Sequence, residues 1–200
     1  LFSVSFTDAN IGTAVGEVCT ILRTTDGGVS WTSLSSVVSY DLNSVSFTDA
    51  NTGTAVGFGG TILRTTDGGS YWESQLSGTT NDLWGVSFTD ANTGTAVGIY
   101  GTVLRTTNGG SYWESQSSGT TNDLWGVSFT DANTGTAVGG SDIFHTTDGG
   151  ASWTSQSSGT TTWLTSISFS DANIGMAVGW NGTILRTTDG GASWTSQSRG

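Results

Sequence analysis

The sequence is poor in several residue types that mark common protein classes. It has no proline, one cysteine and one histidine, and all five of its Lys or Arg residues are arginine. A single cysteine cannot build an internal disulfide framework. Sixteen acidic residues against five arginines give a formal net charge of −11, and such a surface repels nucleic acids and anionic membranes. We therefore expect no nucleic-acid partner.

Long apolar runs are absent as well. No stretch approaches the roughly 18 apolar residues that a membrane-spanning helix needs, so membrane insertion is not expected. The chain starts at Leu1 without a segment that resembles a signal peptide. We interpret this as a leader that has been removed or was never included, and the predicted location is secreted, periplasmic or lumenal.

Internal repetition is the strongest feature that the sequence does have. A leucine opens each unit, and the leucines are spaced 41, 41, 41 and 40 residues apart. The predicted units are 1–41, 42–82, 83–123, 124–163 and 164–200. Repeats of this length, with four short strand patterns in each, are typical of β-propeller blades.

Unit two illustrates the pattern within a blade. Strands are predicted at Leu42–Thr48, Thr54–Gly57, Thr61–Thr66 and Tyr71–Gln75, and Asp-Gly-Gly forms a hairpin signal before the last one. No window has helical periodicity. The prediction is an all-β, five-bladed β-propeller with four antiparallel strands per blade, in which the blades are in phase and no closing strand is shared.

Ring closure can also be predicted from the order of the strands. The chain starts on the inner strand of unit one and ends on the outer strand of unit five. We therefore expect a closed ring in which blades one and five meet through side-chain packing near Phe2, Val4 and Phe6. The predicted species is a compact monomer. The alternative is that the chain is cut from a longer array and closes by pairing with another chain.

An eight-residue motif recurs between the third and fourth strand patterns. It reads Thr-Thr-Asp-Gly-Gly-x-Ser-Trp, with Asn replacing Asp in unit three and Tyr replacing the Ser in units two and three. The motif resembles the Asp-box of bacterial neuraminidase repeats. The full unit resembles the repeats of Ycf48-like photosystem II assembly factors, which have seven blades, and this resemblance spans essentially the whole chain. It implies a propeller scaffold that binds a protein partner.

We interpret the box residues as structural. The Asp carboxylate is expected to accept backbone hydrogen bonds within its own turn, and the Trp ring to pack on a neighbouring strand or blade. The residues assigned to this role are Asp26, Trp31, Asp67, Trp72, Asn108, Trp113, Asp148, Trp153, Asp189 and Trp194. The Asp-Ala-Asn turns should share one face with the boxes, because alternate loops of an antiparallel blade lie at the same end. This acidic face predicts self-capped turns rather than a metal site, since calcium needs six or more converging oxygens.

The loops at the opposite end differ among the units and carry the remaining tryptophans. Aromatic rings beside Asn and Asp suit stacking and hydrogen bonding to a peptide or a sugar. The candidate ligand-binding residues are Phe58, Trp84, Tyr100, Trp125, Trp163, Trp180 and Asn181. The alternative for Trp84 and Trp125 is a place in the core between blades.

Four arginines and the histidine occupy equivalent positions of the third strand. They are Arg23, Arg64, Arg105, His145 and Arg186. A ring of cations could dock an acidic partner. The interpretation that we favour is that each pairs with a nearby carboxylate.

Catalysis is not predicted. Only three glutamates exist, two of them in the same position of adjacent units, and the lone His145 has no Ser or Cys partner implied by spacing. No metal-ligand cluster or cofactor motif is present, so no cofactor is expected. The leading hypothesis is a non-catalytic scaffold that binds a protein. The alternatives are a carbohydrate-binding, lectin-like module and a repeat segment of a surface or phage protein, or a propeller amplified in the laboratory.

Overall fold

A computed structural model of the chain describes residues 1–198. Its strands form five four-stranded antiparallel sheets, and in each sheet the strands follow chain order. The first strands of the sheets line a central channel, so each sheet is a blade that runs from the inside outward. The predicted all-β, five-bladed propeller with four strands per blade and no shared closing strand is confirmed.

The strands are numbered in chain order. Blade one contains β1–β4 at Ser3–Phe6, Gly12–Val15, Ile21–Thr24 and Thr32–Leu34. Blade two contains β5–β8 at Leu42–Phe47, Gly53–Gly57, Ile62–Thr65 and Glu73–Gln75. Blade three contains β9–β12 at Leu83–Phe88, Gly94–Gly98, Thr102–Thr106 and Glu114–Ser117. Blade four contains β13–β16 at Gly126–Phe129, Gly135–Gly139, Asp142–Thr146 and Thr154–Gln156. Blade five contains β17–β20 at Leu164–Phe169, Gly175–Gly179, Ile184–Thr187 and Thr195–Ser196.

Within residues 1–198, helix is confined to single turns between the second and third strands of a blade. These 3-10 turns are Glu17–Cys19, Phe58–Gly60, Ile99–Gly101 and Trp180–Gly182, and blade four has a shorter glycine turn at the same place. The sequence predicts loops at these segments, and the structure shows that four of them form a helical turn. Among the residues that the structure describes, no helix is long and apolar enough to cross a membrane.

Each blade has two different faces, one toward the next blade and one toward the previous blade. We call the first the forward face; in blade one it carries Val15 and Ile21. We call the second the rear face; in blade two it carries Leu42, Val45 and Trp72. These residues meet in one apolar cluster between blades one and two, and three further clusters of the same composition join the later blades. The core of the protein is therefore a series of junctions between blades.

The third-strand arginines cross these junctions. Arg64 donates from Nη1 to the hydroxyl of Thr54 at 2.9 Å and from Nη2 to the carbonyl of Ala91 in the next blade. Its guanidinium also lies over the Phe88 ring, 5.2 Å from the centroid. Arg23 and Arg105 repeat these contacts at the neighbouring junctions. The predicted pairing with carboxylates is wrong, because the side chain reaches a carbonyl and a ring of the next blade. Arg64 and Arg105 are buried, so they cannot form the docking ring considered above.

His145 occupies this position at the junction between blades four and five. Its Nδ1 lies 3.1 Å from the Thr136 hydroxyl, but the shorter side chain makes no bond to the Ala172 carbonyl. A small cleft remains there, lined by His145, Phe169 and Ala172 among others. Burial lowers the pKa of His145 from its ordinary value of 6.5.

This shift predicts a loss of stability in mild acid. Because the folded state disfavours the imidazolium, the unfolded chain binds a proton first as the pH falls. The free energy of unfolding should be constant above about pH 7 and decrease below about pH 6.5. Urea unfolding at about pH 8 and about pH 5 measures this, with His145→Gln as the control. The same decrease in wild type and control would contradict the assignment to His145.

The predicted closure between blades five and one is wrong. Val45, Val86, Val127 and Ile167 of the rear faces are no more than 9% exposed, whereas the equivalent Val4 is 56% exposed. Phe2 and Phe6 are 52% and 46% exposed, and no apolar cluster joins blade five to blade one within residues 1–198. The angle between successive blades is set by the side chains packed at each junction, and four such steps leave a gap. The five blades form an open arc.

Candidate ligand-binding surface

A β-bulge at the start of the inner strand aims one side chain of a blade toward the mouth of the channel. In blade three, Leu83 pairs with Gly98 and Gly85 pairs with Val97, so Trp84 is the extra residue. Asn43 holds the same position in blade two and Thr165 in blade five. In blade four the position belongs to Trp125. The repeat therefore offers one variable side chain per blade at this place.

Glycine at the end of the second strand is required for this arrangement. A Cβ atom added to Gly98 would lie 2.1 Å from the carbonyl oxygen of Asp82, in the linker that enters β9. Only glycine lets the linker approach the strand so closely. The linker then places Leu83 in the core and Trp84 at the channel mouth.

Five aromatic side chains from blades two to five form one continuous series. We call them the aromatic ladder: Phe58, Trp84, Trp125, Trp163 and Trp180. Successive ring centroids are 5.4, 4.7, 6.4 and 5.0 Å apart along this order. The three contacts between tryptophans are tilted by 31–38°, so their ring faces are roughly stacked. The structure thus brings together five of the seven predicted ligand residues.

The ladder is covered at one end and open at the other. Trp84 is half-buried and its indole N–H has no hydrogen-bond partner, while Trp163 and Trp180 are 47% and 58% exposed. A cleft of about 400 Å³ opens between Trp125, Trp163 and Tyr100. The ladder therefore offers a ligand its Trp163 and Trp180 end, next to this cleft.

The other two predicted residues lie at the tips of the 3-10 turns. Tyr100 has φ 56° and is 71% exposed, and it borders the cleft without stacking on the ladder. Asn181 has φ 52° and is exposed beside Trp180. Side chains other than glycine rarely adopt positive φ, and Gly59 fills the same place in blade two. Tyr100 and Asn181 thus occupy positions whose backbone conformation favours glycine.

Polar residues that the sequence analysis did not select complete the cleft. Asp123 accepts the backbone N–H of Tyr100 at 2.9 Å, and Asn122 donates to the Asp142 carboxylate at 3.1 Å. Asp41 and Asp82 cap the turns of blades one and two in the same way. The signal that could have found Asp123 is its place directly before the leucine that opens a unit.

The shorter loop of unit four explains why the cleft is at this place. Trp163 stands directly before Leu164, where the preceding units have the capping Asp. Blade four turns through Gly140 and Ser141 instead of a 3-10 turn, and its glycine φ is 56°. The missing residue leaves space beside Trp125, and Trp163 lines that space.

The opposite end of the propeller consists of self-capped turns. Asp67 Oδ1 accepts the backbone N–H of Tyr71 at 3.0 Å, and the Thr65 hydroxyl accepts that of Gly69 at 2.9 Å. Gly68 donates to Asn51 of the Asp-Ala-Asn turn at 2.9 Å, so both turn types share one end as predicted. The indole of each box packs edge-on to the inner-strand phenylalanine of its own blade.

Hydrogen bonds to these carboxylates also set their ionisation. Bonds from the hydroxyl and N–H of Ser30 and the hydroxyl of Thr24 lower the pKa of Asp26 to about 2. Asp148 and Asp189 have the same environment and the same pKa of about 2. Within residues 1–198, no cluster of three or more His, Cys, Asp or Glu side chains could hold a metal ion. The box aspartates at this end therefore use their carboxylates to accept hydrogen bonds within their own turns.

Comparisons with known proteins agree with this architecture. The model of the family described as photosynthesis system II assembly factor YCF48 matches residues 1–79 and 72–158. No curated protein matches the chain. A solved structure described as YCF48 bound to D1 peptide is 23% identical, with TM-score 0.75, over 97% of this chain and 67% of that one.

Two further solved structures define the range of the fold. YCF48 from Cyanidioschyzon merolae is 20% identical, with TM-score 0.67, over 98% of this chain and 84% of that one. An ancestral GH74 enzyme is 18% identical, with TM-score 0.77, over 98% of this chain and 31% of that one. At these identities the structures show a shared propeller fold, which hosts both binding proteins and enzymes.

Proposed function

Because the chain belongs to the family of photosystem II assembly factor YCF48, we propose that it is a non-catalytic scaffold that binds an extended peptide segment of a partner protein. A YCF48 structure with a bound D1 peptide supports this class of partner. The proposed location is lumenal, periplasmic or secreted.

The observation that carries the proposal is the aromatic ladder with its polar cleft. Tryptophans dominate the binding energy of protein interfaces, because they combine a large apolar surface with few rotatable bonds. Here Trp163 and Trp180 expose about half of their surface, and Trp163 also lines a cleft of about 400 Å³. An exposed row of rings beside Asn and Asp side chains suits a chain with alternating apolar and polar groups.

The charges at the cleft select the chemistry of the peptide. Asp123 and Asp142 line the cleft, and no arginine or lysine does. A Lys or Arg side chain of the ligand could therefore meet these carboxylates while its apolar stem packs against the indole of Trp163. We propose that the preferred peptide carries a cationic residue flanked by apolar ones.

The absence of a catalytic arrangement from the cleft supports a binding role. An acid–base mechanism needs two tuned groups facing one substrate position. Glu73 and Glu114 lie on outer strands opposite Arg64 and Arg105, away from the cleft. The cleft carboxylates of Asp123 and Asp142 are engaged with Tyr100 and Asn122.

A glycan is the second candidate ligand. The specific observation in its favour is that Trp180 ends the ladder, is 58% exposed and lies beside the amide of Asn181, because an exposed terminal ring next to polar groups suits stacking on a sugar ring. A glycan array separates the two candidates, because a peptide scaffold should bind no glycan at concentrations that saturate the peptide.

Replacing Trp180 by alanine should weaken peptide binding by about tenfold or more, because an exposed indole at an interface is worth roughly 1.4–2 kcal/mol or above. The stability should change by no more than about 0.5 kcal/mol, since the side chain is 58% exposed. Calorimetric titration with the D1 peptide and with a panel of Lys- or Arg-containing peptides measures the first effect. Urea unfolding measures the second.

Tyr112→Ala is the matched control. Tyr112 is 65% exposed, but it lies in a box turn at the other end of the propeller, so its removal should leave the affinity unchanged. Equal losses in both variants, or a loss of several kcal/mol of stability in Trp180→Ala, would contradict the ladder as a ligand site.

A further inference from the structure

The open arc leaves two blade faces without a partner, and they differ in kind. The rear face of blade one exposes Leu1, Val4, Phe6 and Trp31. The forward face of blade five exposes Met176, Val178 and Arg186. We propose that these two faces bind each other between copies of the chain, so that blade five of one copy docks on blade one of a second copy.

The apolar parts of the two faces are those that the four internal junctions bury. Val15, Val56, Val97 and Val138 of the forward faces are fully buried, whereas the equivalent Val178 is 40% exposed. On the rear faces, Leu42, Leu83, Leu124 and Leu164 are at most 1% exposed, whereas the equivalent Leu1 is 68% exposed. Each of the two free faces is therefore apolar at the positions where forward and rear faces pack together in the four internal junctions.

The polar groups are complementary as well. At the internal junctions, serine hydroxyls of one inner strand accept backbone N–H groups of the next: Ser44 accepts from Val86 and Ser46 from Phe88, at 3.3 and 3.1 Å. Blade five presents the equivalent hydroxyls of Ser166 and Ser168 to solvent. Within residues 1–198, the backbone N–H groups of Val4 and Phe6 on blade one have no serine hydroxyl as acceptor.

Arg186 supplies the cation for the same junction. Arg23, Arg64 and Arg105 each donate to an alanine carbonyl of the next blade and lie over a phenylalanine ring there. Arg186 is exposed, and within residues 1–198 it makes neither of these two contacts. Blade one offers the equivalent acceptor, the carbonyl of Ala9, and the equivalent ring, that of Phe6.

The two surfaces determine the kind of assembly. A forward face fits a rear face, so the contact is head-to-tail and uses different residues on the two copies. Such a contact leaves a free face at each end of a dimer, and assembly continues to rings or filaments. The two faces match each other in apolar side chains, hydroxyl acceptors and cation, so the occupant that we propose is a second copy of the chain.

Two charge substitutions test the contact, one on each face. Val4→Glu and Val178→Glu each place a carboxylate in the proposed junction, at side chains that are 56% and 40% exposed in the single copy. Sedimentation velocity from about 1 µM to about 200 µM should show concentration-dependent assembly of wild type and a monomer for each variant. The control is Leu76→Glu, at a 92% exposed side chain outside both faces, which should assemble like wild type.

Mixing the two variants gives the decisive result. Val4→Glu retains its blade-five face and Val178→Glu retains its blade-one face, so an equimolar mixture should form a dimer that grows no further. A monomeric wild type over the whole range would overturn the proposal, as would assembly of either variant alone or a mixture that stays monomeric. Circular dichroism confirms that both variants are folded, and Arg186→Glu replaces Val178→Glu if that variant is not.

Discussion

Trp72→Ala should lower the free energy of unfolding by about 3–5 kcal/mol, the cost of removing a large aromatic side chain from a core. Trp72 is 1% exposed. It packs edge-on to Phe47 at 5.9 Å within its blade and joins the cluster that Val15 and Ile21 of blade one form with blade two. The substitution therefore creates a cavity at a junction between two blades.

Trp31→Ala is the matched comparison, because Trp31 has the same place in blade one and the same contact with its phenylalanine. It is 37% exposed, since no preceding blade covers it. Its removal should cost clearly less, on the order of 1–2 kcal/mol. Urea unfolding at low protein concentration, where copies are separate, measures both values. Equal costs for the two substitutions would contradict the open arc.

Arg64→Ala should lower the free energy of unfolding by about 2–4 kcal/mol, because it removes a buried charged side chain that joins two blades and leaves the buried Thr54 hydroxyl without its donor. The hydroxyl of Thr54 and the carbonyl of Ala91 both lose their donor. The ring of Phe88 also loses the cation above it. Charge alone does not explain this effect, so about 0.5 M salt should leave most of it in place.

An arginine can instead be introduced at the junction between blades four and five, where the chain has His145. His145→Arg would place at the junction between blades four and five the side chain that Arg64 has between blades two and three, with Thr136 as its first acceptor and the Ala172 carbonyl in the next blade. We expect a gain of about 1 kcal/mol, the net value of a hydrogen bond with a charged donor, and loss of the pH dependence that His145 causes. Destabilisation by this substitution would show that the junctions are not equivalent.

Peptide binding and copy-to-copy docking use largely different residues and overlap at the Trp180 end of the aromatic ladder. The aromatic ladder runs over the turns of blades two to five, whereas docking uses the outer faces of blades one and five. At the junction between blades two and three, Phe58 contacts Trp84 of the next blade, and Trp180 and Phe2 hold the equivalent positions on the two free faces. Trp180→Ala therefore does not separate the two sites. Leu76→Glu lies outside both sites and should assemble and bind peptide like wild type.

The sequence by itself determined the repeat, the four strands of each blade and the turns that join them. These features are local: a hairpin needs Asp-Gly-Gly, and a strand needs alternation over a few residues. In unit two the predicted strand at Leu42–Thr48 is observed at Leu42–Phe47, and Asp67 caps its own turn. Residues that interact within about ten positions of one another can be read from their order along the chain.

Only the tertiary structure decided how the blades meet. Phe58 and Trp180 stand more than a hundred residues apart, and their place in one ladder depends on bulges and on the rotation between blades. Arg64 donates a hydrogen bond to a backbone carbonyl 27 residues away. The spacing of residues in the sequence does not indicate whether an arginine will bind a carbonyl or a carboxylate. The gap beside Val4 is the sum of four rotations, each set by side-chain volumes packed at a junction. Such angles are properties of packed surfaces, so a repeat that specifies its blade does not by itself specify how many blades close a ring.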